Sequence, residues 1–355
     1  MINIKLIAAV IPFVFLLVAC IEKKQQQKDD VVIANGQMPA MANDKNTNTL
    51  HVVFGSGDSI MYTSSADKGI TFSAPVLVAA LPHVYTFATR GPQIAVTGKG
   101  VVVTACTTEG NIYTFYKEKS GGWKHGNMVN DADTVCKEGL MALGADGDNV
   151  FATWLDLRDN KRNKIYGARS IDGGKTWNKN ILIYASPDSS VCECCKPSIV
   201  VWKNKVAVMF RNWLDGNRDL YLAQSNDGGN SFDTAQKLGT GSWKLDGCPM
   251  DGGNIAVDNN GKIQTVWRRN SSVYFDMPGS AEKQLGEGKN CTLETVNNKN
   301  VYAWTENDNV VIIKPGGTKK IAGEGSMPVL KAIDNNHIIC LWENSKQIHA
   351  SLIGL

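Results

Sequence analysis

The chain has 355 residues, 43% of them hydrophobic and 20% charged, with a formal net charge of +3. So even a balance excludes the strong basic field of a nucleic-acid binder, and no nucleic-acid partner is expected. The length exceeds what one hydrophobic core normally serves, which leaves two domains or a radial array of repeats.

The first residues have the pattern of a targeting segment. Lys5 precedes an apolar run over residues 6–19 that is short for a membrane span and ends in small residues, so residues 1–19 read as a secretory signal. Leu17-Val18-Ala19-Cys20 resembles the bacterial lipoprotein box, whose cysteine is lipidated after cleavage. Cys20 is therefore the expected anchor. Residues 20–30 hold lysines, glutamines and aspartates with almost nothing to bury, and are expected to form a disordered tether. The body is expected outside the cytoplasm, with a bacterial membrane as a partner through the lipid.

From residue 31 the chain reads as one domain to residue 355. Residues 31–34 form a short apolar run with no partner strand nearby. Beyond them a theme recurs: a Pro or Gly lead-in, a short apolar strand, a second strand often ending in Trp or Phe, a third strand, a corner and a fourth. Copies open at Met38-Pro39, Arg90-Gly91-Pro92, Glu138-Gly139, Lys196-Pro197 and Pro249-Met250, and two shorter ones carry second strands at 301–304 and 338–342. The seventh copy ends one strand short. The expected fold is an all-β propeller of four-stranded blades, seven by this count with six as the alternative, in which residues 31–34 complete the last blade and remove the open edges.

The corners carry the repeat. Ser170-Ile171-Asp172-Gly173-Gly174-Lys175-Thr176-Trp177 returns at Ser225 through Phe232 and at Ser65 through Phe72. In each, serine and aspartate (Asp67, Asp172, Asp227) are placed to bond turn amides, a glycine supplies positive φ, and an aromatic ring packs beneath. The starts at residues 65, 170 and 225 imply a unit of about fifty residues.

This Ser-x-Asp-x-Gly-x-Thr-Trp/Phe corner resembles the Asp-box, or bacterial neuraminidase repeat, of the sialidase-like propeller superfamily, over residues 31–355. Arg90-Gly91-Pro92 is similar to the Arg-x-Pro element of sialidases, although it follows the first corner. The resemblance implies a carbohydrate ligand, sialic acid or another acidic sugar. Its carboxylate would be gripped by Arg90, Arg211 and Arg268 on the face that gathers lead-ins and second-strand loops, with Arg158, Lys196 and Asp251 beside them. It further implies exo-sialidase-like hydrolysis with Asp156 as acid/base and Glu138 as activator of a tyrosine. Neither Tyr274 nor Tyr302 falls in a matching motif. A propeller that binds glycan or protein without turnover is the alternative, and a monomer without cofactor is expected.

The chain has nine cysteines, and with Cys20 committed to lipid eight remain: Cys106, Cys136, Cys192, Cys194, Cys195, Cys248, Cys291 and Cys340. Outside the cytoplasm their default is disulfide formation, with staples between neighbouring lead-ins. Cys106 and Cys340 sit mid-strand and are candidates for simple burial. Cys136, Cys195, Cys248 and Cys291 all fall near lead-ins, as do Met250 and Met327, which supports a soft-metal propeller as a third reading. Zinc is not expected, since neither His83 nor His125 has a ligand spacing, and no metal ligand set is assigned.

Overall fold

The computed structural model describes residues 30–355 apart from Ser189. The expected signal, Cys20 and nearly all of the tether lie outside the described residues. These residues form seven four-stranded antiparallel sheets, the seven blades of a β-propeller, with no helix among them.

The last blade contains the first strand, β1 (Val31–Asn35). Blade one then follows as β2 (Gln37–Asp44), β3 (Thr49–Ser56), β4 (Ser59–Ser65) and β5 (Val76–Ala80). Blade two is β6 (Gln93–Val96), β7 (Gly100–Cys106), β8 (Ile112–Glu118) and β9 (Lys124–His125). Blade three is β10 (Met141–Asp146), β11 (Asn149–Asp156), β12 (Lys164–Ser170) and β13 (Ile181–Tyr184). Blade four is β14 (Ser198–Trp202), β15 (Lys205–Arg211), β16 (Leu220–Ser225) and β17 (Gln236–Lys237). Blade five is β18 (Asn254–Val257), β19 (Ile263–Arg269), β20 (Ser272–Asp276) and β21 (Lys283–Glu287). Blade six is β22 (Lys289–Val296), β23 (Lys299–Glu306), β24 (Asn309–Ile313) and β25 (Lys319–Glu324). Blade seven joins β26 (Ser326–Ala332), β27 (His337–Asn344) and β28 (Gln347–Gly354) to β1.

The ring closes as its sequence implies. Val31 pairs with Ala350 and Val32 with His349, so the N-terminal strand covers the edge that β28 would otherwise expose. Asp30, assigned to the tether, is instead held: its Oδ2 lies 2.9 Å from Nδ1 of His349, whose ring stacks on Trp342.

Second strands read as unbroken apolar runs because blades stack face to face and bury both of their surfaces. In β11, every residue from Val150 to Asp156 is buried. The corners lock one blade to the one before. Gly174 has φ +86°, and a Cβ there would meet Val102 of blade two at 2.4 Å; Gly229 likewise abuts Phe151, and Gly69 abuts Ile339. Only glycine fits such a backbone approach. Within each corner the carboxylate accepts from the hydroxyl two residues before it and from the amide four residues after it, as Asp172 does from Ser170 (2.7 Å) and Thr176 (3.0 Å). Hydrogen bonds led by the Thr71 hydroxyl hold the Asp67 carboxyl down to about 2.

Candidate functional site

With antiparallel strands in each blade, lead-ins and second-strand loops share one face and the corners share the other. The candidate side chains fall into groups at different blade junctions, with the cysteines as a further group.

Arg90 belongs to the junction of blades two and three. Its Nε donates to the Glu138 carbonyl at 2.5 Å, its Nη1 to the Ala88 carbonyl at 3.0 Å, and its Nη2 lies 3.6 Å from the Glu138 carboxylate. The guanidinium sits over the rings of Tyr85 and Phe87. Burial pushes the Glu138 carboxyl up, Arg90 opposes that, and nearby Glu193 adds to it. Lys196, at the next lead-in, donates to Gln93 Oε1 at 2.8 Å, and burial pushes its ammonium down to about 8.

Arg211 and Arg268 do come together, at the junction of blades four and five, both over the ring of Trp243 at 5.3 and 5.2 Å from its centroid. Arg211 is 1% exposed, and its donors go to backbone carbonyls: two to Asp251 (3.0 and 2.8 Å), one to Arg218 (2.6 Å) and one to Arg268 (2.9 Å). Four of the five N–H donors are taken by carbonyls and only one on Nη1 is left, so no pair of adjacent donors remains for a sugar carboxylate to bridge. Arg211, expected to bind ligand, is held by these carbonyls, and the three arginines do not converge on one point: Arg90 lies at the junction of blades two and three. Asp251 is buried too, accepting from the amides of Asn290 (2.8 Å) and Gly253 (3.3 Å).

Asp156, the expected acid/base, is engaged in a similar way. The carboxylate is fully buried and accepts from Trp154 Nε1 at 2.8 Å, from the Arg158 amide at 2.9 Å, and from the Arg158 guanidinium at both oxygens. Arg158 is thereby occupied and also reaches Asp131 and Asn180 at 2.9 Å. Neither tyrosine replaces the missing nucleophile. Burial pushes the Tyr302 phenol up, opposite to activation, and Tyr274 packs its ring under Arg269 at 4.1 Å.

Arg268 differs from the other two arginines. It donates through Nη2 to the Pro249 carbonyl at 3.3 Å and lies 3.7 Å from Asp251, while Nη1 makes no hydrogen bond among the described residues. It lines a groove of about 310 Å³ between blades five and six, with Ser271, Glu287, Lys289, Thr305 and Asn307. Lys289 is exposed and has no ion pair among the described residues, whereas Glu306 at the rim is neutralised by Lys319 at 2.7 Å. The neighbouring groove between blades six and seven, about 320 Å³, carries the carboxylates of Asp308, Glu324 and Glu343 and disfavours an anion. Lys289 was not among the expected site residues. The signal for it was the recurring lead-in Gly36-Gln37-Met38, Gly288-Lys289-Asn290 and Gly325-Ser326-Met327, in which the last residue takes positive φ and a bulge follows.

The sulfurs form the further group. Cys194 at the lead-in of blade four and Cys248 at that of blade five are joined by a disulfide, a staple of the expected kind. The other six described cysteines are free and buried. Cys106 and Cys340 are buried in their strands, and the Cys106 thiol donates to the Cys136 carbonyl at 3.3 Å. Cys192 Sγ lies 3.4 Å from Cys195 Sγ and 3.7 Å from Cys194 Sγ, and Arg218 Nη1 donates to it at 3.2 Å. Hydrogen bonding with Cys195, then the charges of Arg211 and Arg218, hold the Cys192 thiol down to about 6 despite burial. Burial pushes the Cys195 thiol well up. The soft-metal reading needs several thiolates, and the disulfide removes Cys194 and Cys248 from that set.

No family model matches the chain, and no curated protein matches it. Solved structures do. The chain is similar to an ulvan lyase of a new polysaccharide lyase family (TM-score 0.58, 11% identity, 92% of this chain and 94% of that one). It is similar also to AofleA from Arthrobotrys oligospora (TM-score 0.51, 12% identity, 91% and 88%) and to a protein of unknown function from Dyadobacter fermentans (TM-score 0.50, 14% identity, 92% and 98%). At these identities the likeness is one of fold.

Proposed function

We propose that this chain binds an acidic carbohydrate in the groove between blades five and six, without turning it over, and does so outside the cytoplasm from a lipid anchor at Cys20. The carrying observation is Arg268: of the three candidate arginines it keeps a guanidinium nitrogen, Nη1, with neither a carbonyl nor a carboxylate partner among the described residues, and it lines a groove that also holds Lys289, which has no ion pair among them. A carboxylate or sulfate would take Nη1 of Arg268 and Nζ of Lys289, while Ser271, Thr305 and Asn307 meet ring hydroxyls. The volume is at the small end of the roughly 300–1,000 Å³ range of ligand sites, so a terminal sugar or two fits and a buried polymer does not. The ulvan lyase of the same fold was solved with -[GlcA(1-4)Rha3S]-, an acidic saccharide, which supports the ligand class. The lipoprotein box carries the anchoring part of the proposal.

Calorimetric titration with glucuronate-terminated and neutral oligosaccharides tests the reading. Acidic sugars should bind, with affinity falling as salt rises and falling about tenfold or more in Lys289→Ala, an exposed change that leaves the fold alone. Equal binding of neutral sugars, or indifference to both Lys289→Ala and Arg268→Met, rules the groove out.

A further inference from the structure

The four sulfurs at the junction of blades four and five are graded from surface to core. Cys248 is exposed, Cys194 half-buried, and Cys192 and Cys195 are buried completely. The run Cys192-Glu193-Cys194-Cys195 is also a Cys-x-x-Cys arrangement with a disulfide partner inserted in it. The two free thiols are 3.4 Å apart, and one of them is 3.7 Å from a sulfur of the disulfide.

We propose that this cluster is a dithiol–disulfide relay that passes reducing equivalents between the buried pair Cys192/Cys195 and the exposed pair Cys194/Cys248. In the first step the Cys192 thiolate attacks Cys194 Sγ. The Cys194–Cys248 bond breaks, a Cys192–Cys194 bond forms, and Cys248 leaves as a thiolate. In the second step Cys195 attacks Cys192 Sγ, forming Cys192–Cys195 and releasing Cys194, and the Cys195 proton passes to a departing sulfur. One disulfide and two thiols enter and one disulfide and two thiols leave, so no outside oxidant or reductant is consumed.

The surroundings suit the chemistry. The hydrogen bond with Cys195, then the charges of Arg211 and Arg218, favour the thiolate form of Cys192, which is the nucleophilic form, and burial keeps the proton on Cys195 until the mixed disulfide exists. Cys248 is exposed and Cys194 partly so, whereas Cys192 and Cys195 are buried, so an external thiol or disulfide reaches the buried pair through the Cys194–Cys248 disulfide. The cluster lies beside Arg211, which donates to the Arg268 carbonyl at the edge of the proposed groove.

The test uses the full chain, reduced, desalted and given one equivalent of diamide to set one disulfide in the cluster. It is then held in N-ethylmaleimide without reductant and mapped by peptide mass spectrometry over time. The relay predicts labels on Cys194 and Cys248 with a Cys192–Cys195 link, and labelling of Cys248 at least tenfold slower in Cys192→Ser. In Cys195→Ser a Cys192–Cys194 link should be trapped with Cys248 labelled. Labels on Cys192 and Cys195 with Cys194–Cys248 intact, in the unsubstituted chain, overturn the proposal whether or not the variants fold.

Discussion

Arg158 grips both oxygens of Asp156, Nε on Oδ1 and Nη2 on Oδ2, each at 2.9 Å, where the carboxylate is wholly buried. Such a pair fixes the loop after β11 and leaves neither oxygen free to carry a proton to a leaving group. Removing one member strands a buried charge, so Asp156→Ala should cost about 3–5 kcal/mol of stability, and Asp156→Asn, which keeps the acceptor for Trp154, should cost less. Urea unfolding measures both. Glycan affinity in the folded fraction should be unchanged, because Asp156 does not line the groove; a loss of affinity without a loss of stability would return Asp156 to the ligand site.

How much of this was readable in the chain follows from what each signal depends on. Ser170, Asp172 and Gly174 act within one turn, so their spacing alone predicts the corner, and the alternation of such corners with apolar strands predicts the ring. Residues 31–34 were assignable because an apolar run without a neighbour must cover something. The arginines were another matter. Arg211 and Arg268 stand near the ends of second strands, and it is the carbonyls of Asp251, Arg218 and Arg268 converging on Arg211 that occupy one and leave the other with a free nitrogen. Trp243, between them, lies in a connection without periodicity. Cysteine spacing placed Cys195 and Cys248 near lead-ins, yet which sulfur bonds Cys248 depends on sub-ångström geometry among Cys192, Cys194 and Cys195 that no spacing encodes.

His51 provides a pH-dependent term. Its Nδ1 lies 2.7 Å from the Tyr62 hydroxyl, and burial pushes the imidazole down to about 4 from an ordinary 6.5, with Asp44 resisting and Lys117 assisting. Between pH 6.5 and 4 the unfolded chain binds a proton there that the folded chain refuses. Stability therefore falls as pH drops through that window, by up to about 3 kcal/mol. His51→Gln should flatten the profile from pH 6.5 to 4 and keep the steeper loss below it, where Asp67 and Asp227, both held low by corner hydrogen bonds, take up protons. Chemical denaturation at each pH checks this, and an unchanged slope in His51→Gln would assign the window to other groups.

Closure of the ring depends on very few residues. β1 adds five residues to blade seven, and its pairing shifts register between Val32 and Ala34, so the strand is held by a short ladder, the buried Ala34 and the contact between Asp30 and His349. Without it, β28 presents unpaired amides and carbonyls along Gln347–Gly354, a template for a second chain. Deleting residues 30–35 should lower the melting temperature by several degrees and produce dimers or larger species in size-exclusion chromatography at concentrations where the intact chain elutes as one species. Asp30→Ala, which removes only the carboxylate facing His349, should lower the melting temperature less and leave the elution unchanged, separating loss of the pin from loss of the edge. An intact elution profile after the deletion would mean that the blade is closed by its own three strands.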